Sequence, residues 1–185
     1  MANNYINNSD FLKALTEYKE DSLKAQVEGK PVPRVPDYIG ECFLKMAEHI
    51  SRKPNFVSYS FRDEMVADGV ENSLRYFRNF DPEKSSNPFA YFSQTIFRAF
   101  WRRIAKEKKQ LYAKYKLTEQ AGILDEGSIT TDQDGYMKQF EIYSNITDFI
   151  VTFEESEKKK KKIIKENKKK KENEKVIDDF ILMEK

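Results

Sequence analysis

The sequence from Ser60 to Lys116 predicts two helices joined by a short polar turn, and the second of them constrains the fold most. Asn87 is a favourable N-cap, Pro88 suits the first helical position, and no further glycine or proline follows before Lys116. Apolar side chains then recur at the spacing of one buried helical face, at Phe92, Ile96, Ala99, Phe100 and Ile104. A helix of this kind must pack along that face, so the sequence predicts an all-α protein built around it.

A neighbouring face of the same helix combines cations with aromatic rings. It carries Tyr91, Gln94, Thr95, Arg98, Trp101 and Arg102. Cations bind phosphates and flat rings stack on bases, so nucleic-acid binding is one interpretation. The other is an amphipathic helix with a wide apolar face and a basic edge whose long side chains reach solvent. The spacing alone leaves both interpretations open.

The preceding helix is predicted from about Ser60 to Asn79, with a capping box formed by Ser60 and Asp63. Its apolar stripe consists of Met65, Val66, Val70, Leu74 and Phe77. Its opposite face is acidic and polar, with Glu64, Asp68, Glu71 and Asn72. Such a face is either solvated or binds a partner. Phe80 is expected to anchor the turn that follows.

Two further helices are predicted before this pair. Ser9 is expected to cap a helix that runs to about Glu28, ends at Gly29 and turns Phe11, Leu15 and Tyr18 inward. Residues 30–36 contain three prolines and predict an extended linker, followed by a helix from Asp37 to about Arg52. The helices that begin at Asp37, Ser60 and Pro88 can bury their stripes against one another. We therefore expect residues 1–36 to form an N-terminal helix and linker, and residues 37–117 to form a small helical bundle.

The rest of the chain consists of three segments that differ in charge and hydropathy. Residues 118–157 predict an acidic loop and an accessory helix after Gly135. Residues 158–175 contain 11 lysines against three glutamates, a net charge of +8, so the remaining residues of a chain with net charge +2 carry −6. Such a block predicts a flexible basic tail, either a solvated linker or a segment that contacts phosphates. Residues 176–185 combine apolar and acidic side chains and predict either a docking peptide or a segment folded back on the bundle.

Composition excludes several classes of protein. One cysteine and one histidine allow neither a disulfide framework nor a Cys/His zinc site. The sequence has no run of 18 apolar residues, so we expect a soluble intracellular protein with no membrane partner. We find no catalytic constellation and expect no enzyme and no cofactor. A metal-dependent nuclease using Glu64, Asp68 and Glu71 is the enzymatic alternative.

Three consecutive motifs resemble the core-binding and promoter-melting domain of bacterial RNA polymerase sigma factors. They are Glu64-Met65-Val66-Ala67-Asp68-Gly69, Phe80-Asp81-Pro82-Glu83-Lys84 and Pro88-Phe89-Ala90-Tyr91. The family pattern fits from Glu64 to Ile104 without a gap. The length of the chain, its Asn-Pro-x-Ala-Tyr motif and its C-terminus resemble in particular the sigma factors for late transcription of T-even-like bacteriophages.

The resemblance implies a partner for the acidic face. Glu64, Asp68, Glu71 and Asn72 fall where sigma factors contact the clamp helices of the largest subunit of bacterial core RNA polymerase. The family usually has glutamine where Ala67 stands, which implies a weaker or different contact here.

The resemblance also implies promoter DNA as the partner of the aromatic and basic face. Tyr91, Gln94 and Thr95 occupy positions that hold open the non-template strand, and Arg98, Trp101 and Arg102 face the upstream edge of a −10-type element. Primary sigma factors have a Trp pair where this chain has Gln94 and Thr95, and Phe89, Tyr91 or Trp101 would replace part of it. Lys106 completes the predicted DNA-binding set.

The last residues resemble the peptide by which the phage late sigma factor binds the DNA sliding clamp. The predicted clamp-binding residues are Asp179, Phe180, Ile181 and Leu182. The resemblance thus implies a sigma factor for short A/T-rich late promoters, acting in the cytoplasm of an infected bacterial host. The alternative is a helical nucleic-acid-binding protein that needs no polymerase.

Overall fold

The structure is a computed structural model that describes residues 6–122 and 133–183, with side chains for residues 6–122 and 142–169. All regular secondary structure within these ranges is helical, which confirms the predicted all-α fold. The helices are α1 (Asn8–Val27), α2 (Asp37–Ser51), α3 (Arg62–Tyr76), a 3-10 turn (Phe77–Asn79), α4 (Pro88–Gln120) and α5 (Gln133–Met183).

The chain divides into two compact units, Met1–Glu107 and Lys108–Lys185. The first unit is built around a cluster of aromatic rings. The ring of Phe11 on α1 lies 5.8 Å from that of Phe43 on α2 and 5.7 Å from that of Phe92 on α4. Tyr18 lies 5.2 Å from Phe77. The helix α1 therefore shares one core with α2, α3 and α4, and the inward placement of its apolar residues is confirmed.

The ends of α1 follow local rules of capping. Its N-cap is Asn7 and not the predicted Ser9, because Oδ1 of Asn7 accepts a hydrogen bond from the backbone N–H of Ser9 at 3.0 Å, and the helix therefore begins two residues earlier than predicted. Gly29 has φ of 67°, a left-handed conformation that glycine adopts without strain, and ends the helix as predicted.

The helix α3 differs from its prediction in two respects. It begins at Arg62 after Phe61, and no side chain caps its first turn, so the capping box at Ser60 was wrong. Leu74 was placed on the buried stripe but is 39% exposed. The buried face instead follows Met65, Gly69 and Ser73. Small residues there let α3 approach α4 closely, because a Cβ atom on Gly69 would lie only 3.0 Å from Cε1 of Phe100.

The stripe predicted for α4 is confirmed in full. Its five members are all buried: Phe92, Ile96, Ala99, Phe100 and Ile104. The helix begins at Pro88, and the side chain of Asn87 accepts a hydrogen bond from the backbone N–H of Ala90 at 3.0 Å, as an N-cap does. The predicted anchor Phe80 is also buried, 4% exposed.

The second unit contains the last turns of α4 and the helix α5. The ring of Tyr112 stacks on that of Phe153 at 4.6 Å, and the hydroxyl of Tyr112 donates a hydrogen bond to Glu154 at 2.9 Å. Lys116 lies 3.3 Å from Glu154, and Ile150 is buried. The accessory helix predicted after Gly135 is therefore packed rather than isolated.

The lysine block was predicted as a flexible linker, and this prediction of its secondary structure was wrong. The helix α5 continues through residues 158–175 to Met183. Lysine and glutamate are good helix formers, and neither glycine nor proline follows Gly135, so the local sequence favours continuation. The domain boundaries predicted from composition stay a prediction. Across the part of the chain that the structure describes, no helix is both long and apolar enough to cross a membrane.

Candidate nucleic-acid and partner interfaces

One side of α4 presents a stripe of rings, hydroxyls and cations. Tyr91, Thr95, Arg98, Arg102 and Lys106 follow one another at i, i+4, i+7, i+11 and i+15, the spacing of a single helical face. The first four of them, together with Tyr76 at the end of α3, line an open cavity of about 230 Å³. Two aromatic rings and two guanidinium groups therefore border one polar depression of the surface.

The core holds the ring of Tyr91 in place. It lies 5.3 Å from the ring of Phe80 and 5.0 Å from that of Phe92, and the hydroxyl of Thr95 donates to the carbonyl of Tyr91 at 3.2 Å. The turn that carries Phe80 is tied to α1, because Lys19 donates a hydrogen bond to Asp81 at 2.8 Å. This bond holds the pKa of the Asp81 carboxyl below its ordinary value.

The two arginines of this stripe differ in how they are held. Nη2 of Arg102 donates to Oδ1 of Asn72 at 2.6 Å, which fixes its guanidinium beside α3. Arg98 is exposed and forms no salt bridge with any residue that the structure describes. Arg98 is therefore the arginine of the cavity whose donors are available to a ligand.

Trp101 and Gln94 lie at the edge of the stripe, and Phe89 lies apart from it. The indole of Trp101 is 56% exposed and its edge rests on Phe56 at 5.8 Å. Gln94 is exposed. Phe89 is half-buried against the core, and its backbone N–H donates to the side chain of Asn8 at 3.2 Å. The structure thus brings seven of the eight predicted DNA-binding residues to one side of α4 and separates Phe89 from them.

The predicted polymerase-binding face of α3 divides into two pairs. Glu64 and Glu71 are exposed, and the one ion pair that Glu71 forms with a described residue is with Arg75, one turn along the same helix. Asp68 and Asn72 face α4 instead. Asp68 lies 2.9 Å from Nε of Arg103, and the amide of Asn72 donates to the carbonyl of Asp68 at 2.7 Å.

This division changes the roles available to these four residues. Asp68 and Asn72 each have a partner on α4, through Arg103 and Arg102, so they hold the two helices in register. Glu64 and Glu71 keep carboxylates that can meet a cationic partner. The acidic and basic faces are therefore adjacent and connected, which their separate positions in the sequence did not indicate.

The sequence analysis missed one residue that borders these surfaces and one buried residue that supports them. Tyr76 borders the cavity and is 41% exposed, and an aromatic residue off the apolar stripe of α3 is the signal that could have found it. Phe56, in the loop after α2, is fully buried and supports Phe100 and Trp101 from below, at 5.2 and 5.8 Å. Phe56 lies between the two predicted helices, outside any periodic apolar stripe, so the sequence gave no indication of its burial.

The metal-ligating and nucleophilic side chains of the described part of the chain are few and dispersed. No three His, Cys, Asp or Glu side chains there come together as a metal site. Cys42 is buried, and its burial raises the pKa of the thiol, which disfavours the reactive thiolate.

The predicted clamp-binding residues Asp179, Phe180, Ile181 and Leu182 lie in α5, but their side chains are outside the described residues. No protein-family model and no curated protein matches this chain.

Proposed function

We propose that this protein is a sigma factor that directs bacterial core RNA polymerase to short A/T-rich promoter elements of the −10 type. The observation that supports this most is the joint placement of two surfaces. The open cavity bordered by Tyr76, Tyr91 and Arg98 lies at the end of α3, and Glu64 and Glu71 are exposed on the same helix. A protein that must hold polymerase and promoter at once needs two such faces on one rigid unit.

The promoter surface would act through binding energy. Unstacking a base step costs a few kcal/mol, and stacking of a base on an aromatic side chain returns about 1–3 kcal/mol. Tyr76, Tyr91 and the exposed indole of Trp101 offer three such rings. Arg98 can contact a guanine edge or a phosphate, and Lys106 extends the basic stripe. Strand opening requires no catalytic residue and no cofactor in this mechanism.

The polymerase surface would consist of Glu64 and Glu71, facing the clamp helices of the largest subunit. Both carboxylates are exposed, and Glu64 has no ion-pair partner among the described residues. Asp68 and Asn72 would contribute indirectly, because they keep α3 aligned with α4. Charged groups at such a contact set the partner and the rate of association more than the affinity.

The C-terminal residues 176–185 would bind the DNA sliding clamp in the cytoplasm of an infected bacterial host. Their sequence is apolar and acidic, as expected of a docking peptide. A clamp already loaded on DNA would raise the effective concentration of polymerase near the promoter. This supports late transcription by a protein whose promoter contacts occupy one small domain.

Run-off transcription tests the proposal. Purified bacterial core polymerase would be mixed with the full chain and a plasmid library of A/T-rich elements, with and without loaded clamp. We expect initiation at defined sites, and a variant that ends at Lys175 should lose only the stimulation by the clamp. Binding of the chain to DNA with no polymerase-dependent initiation would favour a plain nucleic-acid-binding protein instead.

A further inference from the structure

The helix α5 carries a stripe of lysines that neither the promoter surface nor the clamp peptide uses. Five of them follow one another at i, i+3, i+4, i+7 and i+11: Lys158, Lys161, Lys162, Lys165 and Lys169. At about 100° per residue, these positions fall within about a third of the circumference of the helix. The five lysines therefore form one basic face of the helix and are not distributed around it.

All five side chains are exposed, and none forms a salt bridge with any residue that the structure describes. Lys160, on another side of the helix, is instead paired with Glu157 at 2.8 Å. The only acidic residue between Lys158 and Lys169 is Glu166, which lies outside the stripe. Hydrogen bonds that they accept lower the pKa values of Glu154 and Glu157, just before the stripe, and the nearby charges of Lys158 and Lys161 lower them further. The stripe is thus a concentration of positive charge that forms no salt bridge with the described residues.

We propose that this lysine stripe binds the phosphate backbone of duplex DNA without regard to sequence. Its 11 helical steps span about 17 Å at 1.5 Å per residue, and duplex DNA presents about one negative charge per 1.7 Å of axis. A straight helix can therefore set the five ammonium groups against several phosphates at once. Each contact releases counterions, which is the main source of non-specific affinity for DNA.

The other side of the helix argues against a membrane as the partner. Between Lys158 and Lys169 its apolar residues are Ile163 and Ile164, 56% and 65% exposed, and polar or charged neighbours surround them. A helix that lies in a membrane interface buries a long apolar face. Two side chains provide too little apolar area for that, whereas binding of phosphates needs only the basic face.

The test measures binding of the full chain to a non-promoter duplex of 30 base pairs by fluorescence anisotropy, without polymerase, over a series of salt concentrations. One variant carries Lys158→Gln, Lys161→Gln, Lys162→Gln, Lys165→Gln and Lys169→Gln. The control removes five exposed charges of the first unit, with Lys13→Gln, Lys24→Gln, Lys30→Gln, Arg34→Gln and Lys45→Gln, all taken from surface ion pairs. Glutamine favours helix about as well as lysine, and circular dichroism verifies that α5 persists.

We expect the stripe variant to bind at least about tenfold more weakly at moderate salt, with the slope of log K against log salt shallower by about 4. The control should bind nearly as the wild type does. Equal weakening in both variants, unchanged binding in the stripe variant, or binding to vesicles of anionic lipid but not to DNA would overturn the proposal. Because no polymerase is present, the result does not depend on the proposed sigma function.

Discussion

Nε of Arg103 lies 2.9 Å from Oδ2 of Asp68, and this ion pair joins α4 to α3. The side chain of Arg103 is 16% exposed and also lies 3.3 Å from Glu107. Its Nη2 also donates a hydrogen bond to Oδ1 of Asp68 at 3.5 Å, whereas its buried Nε–H has no hydrogen-bond acceptor among the described residues. The carboxylate of Asp68, which the sequence analysis predicted to contact polymerase, thus joins the two helices that present the candidate surfaces.

The substitution Asp68→Ala should lower the free energy of unfolding by about 1 kcal/mol or more, because it leaves a largely buried guanidinium short of a partner. The control Glu71→Ala removes an ion pair that is 62% exposed on both sides, and should cost no more than about 0.5 kcal/mol. Urea unfolding of both variants measures the difference. Equal losses would mean that the Asp68 pair contributes no more than a surface pair.

The substitution Gly69→Ala should destabilise the protein by about 1–3 kcal/mol, because the new methyl group would press on Phe100 at 3.0 Å and on Ile96 at 3.2 Å. The control Gly40→Ala, in α2, meets no atom within 4 Å and should stabilise by about 0.5–1 kcal/mol through helix propensity. Thermal unfolding of both variants measures whether each substitution raises or lowers the stability. A stabilising Gly69→Ala would contradict the close crossing of α3 and α4.

The hydrogen bond between Lys19 and Asp81 should make the stability of the protein depend on pH. Since the pKa of Asp81 is lowered in the folded state, its contribution to stability is present at neutral pH and is lost as the pH falls below the ordinary aspartate range. Lys19→Gln should raise the pKa of Asp81 toward its ordinary value and remove that part of the acid sensitivity. Carboxyl carbon NMR titration measures it, with Lys13→Gln on the same helix as control. An unchanged pKa in Lys19→Gln would refute the assigned cause.

The substitution Arg98→Ala should reduce promoter opening about tenfold or more without a change in stability, because Arg98 is exposed, forms no salt bridge with a described residue, and a good base contact contributes about 1–3 kcal/mol. Permanganate footprinting of unpaired thymines, with core polymerase present, provides the readout. Arg34→Ala, an exposed arginine before α2, is the control. Wild-type opening by Arg98→Ala would remove this residue from the promoter surface.

The burial of α4 could be predicted from sequence because five apolar residues without an interruption specify one helical face. The buried face of α3 could not, because it depends on small residues. Gly69 and Ser73 are not apolar side chains of the kind that mark a buried stripe, and the hydroxyl of Ser73 can be buried because it donates to the carbonyl of Gly69 at 2.9 Å. The close approach of α4 decides that these residues, and not Leu74, face the core.

The sequence predicted most residues of the candidate surfaces but not the contacts that hold some of their side chains in place. Spacing indicated that Arg98 and Arg102 share a face, whereas only the fold shows that Asn72 holds Arg102 and leaves Arg98 available. Tyr76 joins the cavity through the packing of α3 on α4, a contact between residues distant in the sequence. For the lysine block, the high charge predicted a flexible linker, whereas the structure shows a helix. Lysine favours helix locally, and that propensity was the better guide.

The most direct measurement is polymerase-dependent initiation by a double variant, Glu64→Lys with Glu71→Lys, against a matched control, Glu20→Lys with Glu41→Lys. Each pair contains one glutamate without a salt bridge among the described residues and one paired with a cation four residues along its helix. The account predicts that the first variant loses run-off initiation and binding to core polymerase while it keeps its affinity for DNA, and that the control initiates as the wild type does. Initiation by the first variant equal to that of the control would contradict the proposed polymerase contact at Glu64 and Glu71, and a wild-type chain that supports no polymerase-dependent initiation would contradict the sigma function itself.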